Sequence, residues 1–557
     1  NIFFEVPDLV DRLDTSPESW SYNIIAGSDL DSADLTATLD AGGDLVLDDN
    51  VVIRTGTGDI NVAAASDILL GSGAGIYTGG YNRGLSEHMN EVMPGFDTGI
   101  FSDERALNSW MGGGATFPVD GGDVSVYAGG SIIGTDVPEL PTEWQPRIGE
   151  PVADDLTGNG LINEAGAVPT NWGIAFDRFS GIGALGGGTL EVQTGGDLNN
   201  VALAVPTTGR TVDGAVHNGT VFLESVETTE VAGGGVLRVS VGGDASNGQF
   251  YLGDGAAAIE IQGDSGNADD GTGTEIYTGF DAQFKLTAGG ELYITEIQDP
   301  GTVPLSDSQG SLASGGTPRI AAYYDNKFFT YSESASIDVR ALSADLTVSG
   351  TQGVINAVAP VFTTISHSGD LIIGDDINQF PSQQGQITLL AAQDLVVTTG
   401  TGSDGIIDLY QSDQEAAVLP SIQNPVQGDP DEHAERPVHA NDEQPSLIVA
   451  DAGSIRTSGS SIWRVTLAEA AHVQAGLDII NMSASVQNNR DVDVTSFIAG
   501  RDIVQLTQRN NDGTFKVFAP QEASQVSQYE ISGPGTVEFL AGRNINLGTS
   551  DGIETVG

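Results

Sequence analysis

The sequence predicts an all-β chain wound as a parallel β-helix, a β-solenoid of coils about 24 residues long. Three observations predict it. A short phrase recurs along the chain, its copies are spaced at a near-constant interval, and the segments before it alternate polar and apolar residues. The phrase is a small residue, glycine, a polar residue or a second glycine, then usually Asp, then an aliphatic residue.

The clearest copies are Ala41-Gly42-Gly43-Asp44-Leu45, Thr194-Gly195-Gly196-Asp197-Leu198, Val241-Gly242-Gly243-Asp244-Ala245, Ala499-Gly500-Arg501-Asp502-Ile503 and Ala541-Gly542-Arg543-Asn544-Ile545. Looser copies are Ala288-Gly289-Gly290-Glu291-Leu292 and Ala475-Gly476-Leu477-Asp478-Ile479. Ile455 to Ile479 and Ile479 to Ile503 are each 24 residues, as is Leu371 to Leu395; Leu346 to Leu371 is 25, and Leu45 to Ile68 is 23. Asp197 to Asp244 is 47, which reads as two coils of ~24 residues.

Segments such as Thr189-Leu190-Glu191-Val192-Gln193, Asp123-Val124-Ser125-Val126 and Thr536-Val537-Glu538-Phe539 alternate in character, so each has one face in and one face out. The unit is therefore strand, glycine turn, strand, turn. Glycine is expected to supply positive φ at the corner, and the Asp to bond its own backbone in an Asx turn. A unit this short cannot bury its inward face alone, whereas stacked copies can. An antiparallel sandwich would space its strands at ~8–12 residues and show no near-constant period of this length.

The chain reads as one continuous solenoid over 1–557, part of a longer protein, with insertions near 81–118, 134–179, 297–320 and 413–445. Such insertions project from a corner and often carry a binding face. Without them ~400 residues remain, enough for ~16 coils and a rod of ~75–80 Å.

Composition narrows the function. With 20 Lys and Arg against 77 Asp and Glu, the net charge is −57. Nucleic-acid binding needs cations that displace counterions, and anionic lipid would be repelled, so both are disfavoured. An acidic surface keeps a long rod soluble. There are no cysteines, which excludes disulfides and thiolate metal sites. No segment approaches the ~18–20 apolar residues of a membrane-spanning helix.

Several phrases carry a family resemblance. They are Ser19-Trp20-Ser21-Tyr22 with Ala26-Gly27-Ser28-Asp29, Ile53-Arg54-Thr55-Gly56-Thr57-Gly58-Asp59-Ile60, and Trp172-Gly173-Ile174-Ala175-Phe176 with Gly183-Ala184-Leu185-Gly186-Gly187-Gly188. With the stretch Ala541–Ile553, their order along the chain resembles the large exoproteins of the filamentous-haemagglutinin family of Gram-negative bacteria. The resemblance implies a right-handed parallel β-helix, secretion through an outer-membrane partner (two-partner secretion), and an extracellular or cell-surface location. It implies a role in adhesion, biofilm or surface filaments. The partners would be a host cell, a polysaccharide or a neighbouring cell surface, with self-association into filaments. The amino-terminal secretion domain of that family is not evident in the sequence, and no binding residue carries over.

The function expected is thus a secreted structural or adhesive stalk, not an enzyme. Two alternatives of other classes are a polysaccharide-acting β-helix enzyme and a haem- or iron-acquisition exoprotein. Asp155-Leu156-Thr157-Gly158-Asn159-Gly160-Leu161 resembles the start of an EF-hand loop, which makes Asp155, Thr157, Asn159 and Leu161 candidate Ca2+ ligands. The loop is incomplete: position 12 is Gly166, Glu164 falls at position 10, and an Asx-rich turn is the competing reading. No other cofactor is indicated. The adjacent pairs Asp48-Asp49, Asp269-Asp270 and Asp375-Asp376 read as solvated turn acids, because neighbouring strand residues point to opposite faces. Asp431, Glu432, His433, Glu435 and His439 form the densest histidine and acid cluster, a zinc-type donor set in an irregular proline-rich loop. Tyr323–Tyr331 is the richest aromatic stretch, fit either to stack on sugars or to pack over the solenoid.

Overall fold

The computed structural model describes residues 18–34, 37–39, 42–83, 116–149, 170–212, 228–303, 328–350, 356–398, 406–416, 419–422, 434, 436–458, 462–505 and 528–556. The fold is a parallel β-solenoid. One face of it is a sheet of 14 parallel strands running from Tyr22–Ala26 to Thr536–Ala541, one strand per coil. Most coils add two further strands, as in Ile60–Ala64, Ile68–Leu70 and Gly75–Thr78, or Val361–Ser366, Leu371–Ile373 and Ile377–Gln379. The cross-section is therefore three-sided.

The second and third faces meet in one strand. The start of Leu292–Gln298 pairs with Leu346–Val348 of the second face, while its later residues pair with Thr274–Thr278 of the third. From Asn356–Val358 onward the third face continues as its own sheet of 7 strands. Fourteen coils at about 4.8 Å make a stack of roughly 65 Å.

The expected alternation is present. In Gly188–Thr194 the residues Leu190, Val192 and Thr194 are buried, and Glu191 and Gln193 are exposed. Columns of like residues run up the interior: Leu346, Leu371, Leu395, Ile455, Ile479 and Ile503 are in successive register on the second face. All six are at most 1% exposed, and each such side chain contributes roughly 1.5–3 kcal/mol on burial.

The recurring phrase has a different physical basis from the expected one. Its small first residue closes the inward side of the corner: Ala391, Ala450, Ala475 and Ala499 stack in register there. Only in the first copy do the glycines that follow have positive φ, Gly42 at 84° and Gly43 at 119°; in the other copies, Gly195, Gly196, Gly242 and Gly243 among them, they do not. They are present because a β-carbon has no room. At the first position it would fall on a backbone carbonyl of the coil below, as Gly242 on Gly195 and Gly500 on Gly476. At the second it would fall on the carboxylate of the Asp below, as Gly243 on Asp197 and Gly263 on Asp244.

The Asp itself bonds the next coil, not its own turn. Oδ1 of Asp197 accepts from the backbone N–H of Asp244 at 2.9 Å, and Oδ1 of Asp244 from that of Asp264 at 2.9 Å. The same bond joins Asp345 to Asp370, Asp370 to Asp394, Asp394 to Ser454, Asp478 to Asp502 and Asp502 to Asn544. A ladder of side-chain acceptors thus ties the first corner of coil to coil. Positive φ also occurs at the second corner, at asparagines Asn50, Asn200, Asn247 and Asn481, for which the left-handed region is less unfavourable than for most residues with a side chain.

The coil count also differs from expectation. Leu198 pairs directly with Ala245, so the 47 residues between Asp197 and Asp244 are one coil and not two. The excess leaves the coil as an antiparallel hairpin, Thr207–Val212 with Thr228–Gly233. That hairpin joins Arg147–Gly149 and Thr170–Trp172 in a 4-stranded antiparallel sheet on the flank. Gly209 faces Trp172 there, and a β-carbon on it would fall on the indole ring.

Much of the described 134–179 insertion is packed down on the third face, although Thr135, Asp136 and Val137 are exposed. Trp144, Ile174, Phe176 and Phe179 cover the outward residues Tyr77, Tyr251 and Tyr277 of the third face in a second apolar cluster. Arg54 is sandwiched in it, its guanidinium 3.9 Å above the Phe176 ring. Of the Tyr323–Tyr331 stretch, the described residues are packed as well: Phe328 lies 5.6 Å from the Trp172 ring, and Tyr331 enters the main core. Among the described residues no helix is long and apolar enough to cross a membrane.

Candidate metal centre

The candidate calcium ligands Asp155, Thr157, Asn159 and Leu161 lie outside the described residues, as do Asp431, Glu432, His433 and Glu435. The adjacent acid pairs serve turns and neighbouring coils. Asp49 accepts from Ser72 N–H at 3.0 Å, Asp270 from Thr272 N–H at 3.0 Å, and Asp376 from Asp408 N–H at 2.7 Å.

His439 is the member of the histidine and acid cluster that the structure brings into a site, with other partners than its near neighbours in sequence. Its ring is fully buried. Nδ1 lies 3.6 Å from Oδ2 of Asp442 and 3.8 Å from Oε2 of Glu469. One donor atom from each of the three residues falls within 4.8 Å of the others. Local sequence explains the first pair: Asp442 follows His439 by three residues in a turn closed by the Asp442 N–H to His439 carbonyl bond at 3.0 Å. Glu469 comes from the coil wall, in the corner between Ile462–Leu467 of the third face and Ala471–Ala475 of the first.

The glutamate is held by one oxygen only. Its Oε1 accepts from Ser446 Oγ at 2.5 Å and from Gln411 Nε2 at 3.0 Å. Its Oε2, and both ring nitrogens of His439, are buried without a hydrogen-bond partner. A cavity of about 140 Å3 adjoins the three, lined also by Asn489, Arg490 and Asp493. Burial pushes the Glu469 carboxyl up to about 8. Burial likewise lowers His439, against the pull of Asp442. Neutral imidazole with two carboxylates is a donor set for a divalent cation.

A second acid pair, one member buried and the other half-buried, lies on the third face. Glu275 and Glu296 are register partners on adjacent coils. Gln249 Nε2 donates to Glu275 Oε2 at 2.9 Å, and Tyr277 Oη donates to the same oxygen at 3.1 Å. Glu296 is 3% exposed, and its Oε1 has no partner. Burial first, then the charge of Glu275, raises the Glu296 carboxyl to about 7. A folded-state value above the ordinary 4.5 means that the folded protein holds this proton more tightly than the unfolded chain does. Stability is then highest below the ordinary value and is lost as pH rises through the folded one.

Glu296→Gln keeps the shape and removes that ionisation. It is expected to raise stability at pH 8 by about 2–3 kcal/mol and to change it little at pH 4. Denaturant unfolding of both proteins at the two pH values checks this. An equal effect at both would show that packing, and not charge, sets the difference.

Comparison with protein-family models, with curated proteins and with solved structures gives no match.

Proposed function

We propose that the chain is a secreted, non-enzymatic stalk, structural or adhesive, of the filamentous-haemagglutinin type found on Gram-negative cell surfaces. One observation supports the reading most: 14 successive parallel strands stack one per coil along one axis. Such a body grows in length without needing a larger core, which suits a spacer. Its net charge of −57 opposes lateral clumping. The stacked pair Glu275 and Glu296 is a poor candidate for sugar hydrolysis, since Glu296 is buried and a polysaccharide needs both acids at an open groove.

The test is retention on surfaces with a simultaneous assay of chemistry. Beads coated with the purified chain are passed over polysaccharide films and cultured cell layers, and the films are assayed for new sugar chain ends. Saturable retention with no new ends is expected. New ends would overturn the non-enzymatic reading, and beads that adhere no better than albumin-coated ones would overturn the adhesive one.

A further inference from the structure

We propose that His439, Asp442 and Glu469 bind one divalent transition-metal ion, zinc by preference, and that the ion clips the end of the 413–445 insertion to the coil wall. The argument begins from distances. Hydrogen bonds would place these atoms at about 2.7–3.2 Å. Nδ1 of His439 is instead 3.6 Å and 3.8 Å from the two carboxylate oxygens, too long for either bond. Zinc holds nitrogen and oxygen ligands at about 2.0–2.2 Å, so the edge of a tetrahedral site is roughly 3.4 Å. The two edges from His439 Nδ1, 3.6 Å and 3.8 Å, are near that spacing, and the third lies within 4.8 Å.

Unsatisfied atoms point the same way. Buried polar atoms are almost always partnered, because leaving them bare costs about 1–3 kcal/mol each. Here the partnerless atoms Nδ1 and Oε2 face each other inside the protein. The other oxygen of Glu469 is fixed by Ser446 and Gln411, an arrangement that orients the free one, as outer-shell contacts orient metal ligands. Charge closes as well: a neutral imidazole, two carboxylates and a divalent cation sum to zero, which suits a buried site. The adjoining 140 Å3 cavity has room for a water as fourth ligand.

Ligand chemistry selects the metal. Calcium takes 6–8 oxygens, and magnesium keeps most of its water, so neither matches one imidazole and two carboxylates. Imidazole with carboxylate suits zinc and its neighbours in the series. The site joins two distant stretches of chain. His439 and Asp442 end the insertion, and Glu469 belongs to the wall more than 25 residues later. An ion there would act as a staple in a chain with no cysteines.

The experiment is calorimetric titration of the chelator-treated full chain with zinc chloride and, separately, calcium chloride, beside thermal melting. The variants are Glu469→Gln, which keeps the Ser446 and Gln411 contacts in shape, and His439→Gln. The expected result is one zinc per chain, at least 100-fold weaker in either variant, with no matching calcium heat. Zinc should raise the melting temperature of the parent and leave Glu469→Gln unmoved. Glu469→Gln should fold at least as well as the metal-free parent, because it exchanges a buried acid for a neutral amide of the same shape. Absence of stoichiometric zinc binding, binding unchanged in both variants, or calcium binding as tight as zinc would each overturn the proposal.

Discussion

Gly500→Ala is expected to destabilise the solenoid by more than about 3 kcal/mol, although it adds one methyl group to a surface corner. The added carbon would fall on the Gly476 carbonyl oxygen of the coil below. Backbone cannot yield as a side-chain tip can. Gly476 and Gly500 each donate a backbone bond to the previous coil, at 2.8 Å to Ala450 and 3.0 Å to Ala475. Making room therefore means parting two strands at the interstrand spacing of about 4.8 Å, which breaks ladder bonds on both sides. Coil-to-coil contacts are the terms that hold a solenoid together, so the damage is not absorbed elsewhere. Gly374→Ala is the control: its nearest neighbour would be Ser349 Cα at 3.4 Å, an ordinary contact, and a change within about 0.5 kcal/mol is expected. Denaturant midpoints of the two variants should separate clearly. If they coincide, crowding at the corner is not why glycine stands there.

That corner shows what the sequence could and could not reveal. The period was legible because each copy of the phrase does the same thing in its coil, and the inward columns from Leu346 to Ile503 keep to 24 or 25 residues wherever no excursion intervenes. The cause was not legible. A glycine followed by Asp fits a local turn with positive φ and an Asx bond just as well as it fits crowding by the coil below and a bond to the coil above. Only the stack distinguishes them, since the partner of Asp197 is 47 residues away at Asp244. The same ambiguity made that interval look like two coils. An excursion of about one coil length is indistinguishable from a coil by spacing alone, and the hairpin Thr207–Val212 with Thr228–Gly233 has that length.

The candidate metal centre divides in the same way. Asp442, three residues after His439, did not stand out among the acids of that loop, and only His439 was legible, as part of the histidine and acid cluster. Glu469 was not, because nothing in Ala468-Glu469-Ala470-Ala471 distinguishes it from a solvated corner acid. Its burial comes from the insertion folding back over the next coil. Aromatic residues behave alike: Phe328 and Tyr331 read equally well as a sugar platform or as packing, and the choice was made by Trp172, some 150 residues earlier in the chain.

Asp299→Ala is expected to be among the most damaging single changes in the chain, with a loss exceeding about 4 kcal/mol. The side chain is fully buried, and both its oxygens are in use. Oδ1 accepts from Gly301 N–H at 2.8 Å and Thr330 Oγ1 at 2.9 Å. Oδ2 accepts from Thr330 N–H at 2.5 Å and Tyr331 N–H at 3.1 Å. One carboxylate thus joins Gly301 to Thr330 and Tyr331 across the excursion that separates them in sequence. Burial pushes its pKa up to about 6 while these four bonds pull it down, so at neutral pH it is ionised and purely an acceptor. Alanine would leave four donors bare, at about 1–3 kcal/mol for each that finds no other partner. Asparagine keeps the shape but turns an NH2 toward two of those donors, so a loss of roughly 2–3 kcal/mol is expected. Melting at pH 7 should rank the parent above Asp299→Asn, and Asp299→Ala below both. An asparagine variant as stable as the parent would mean that shape, not the ionised acceptor, closes the excursion; an alanine variant as stable as the parent would mean that the donors reach water and the joint is open.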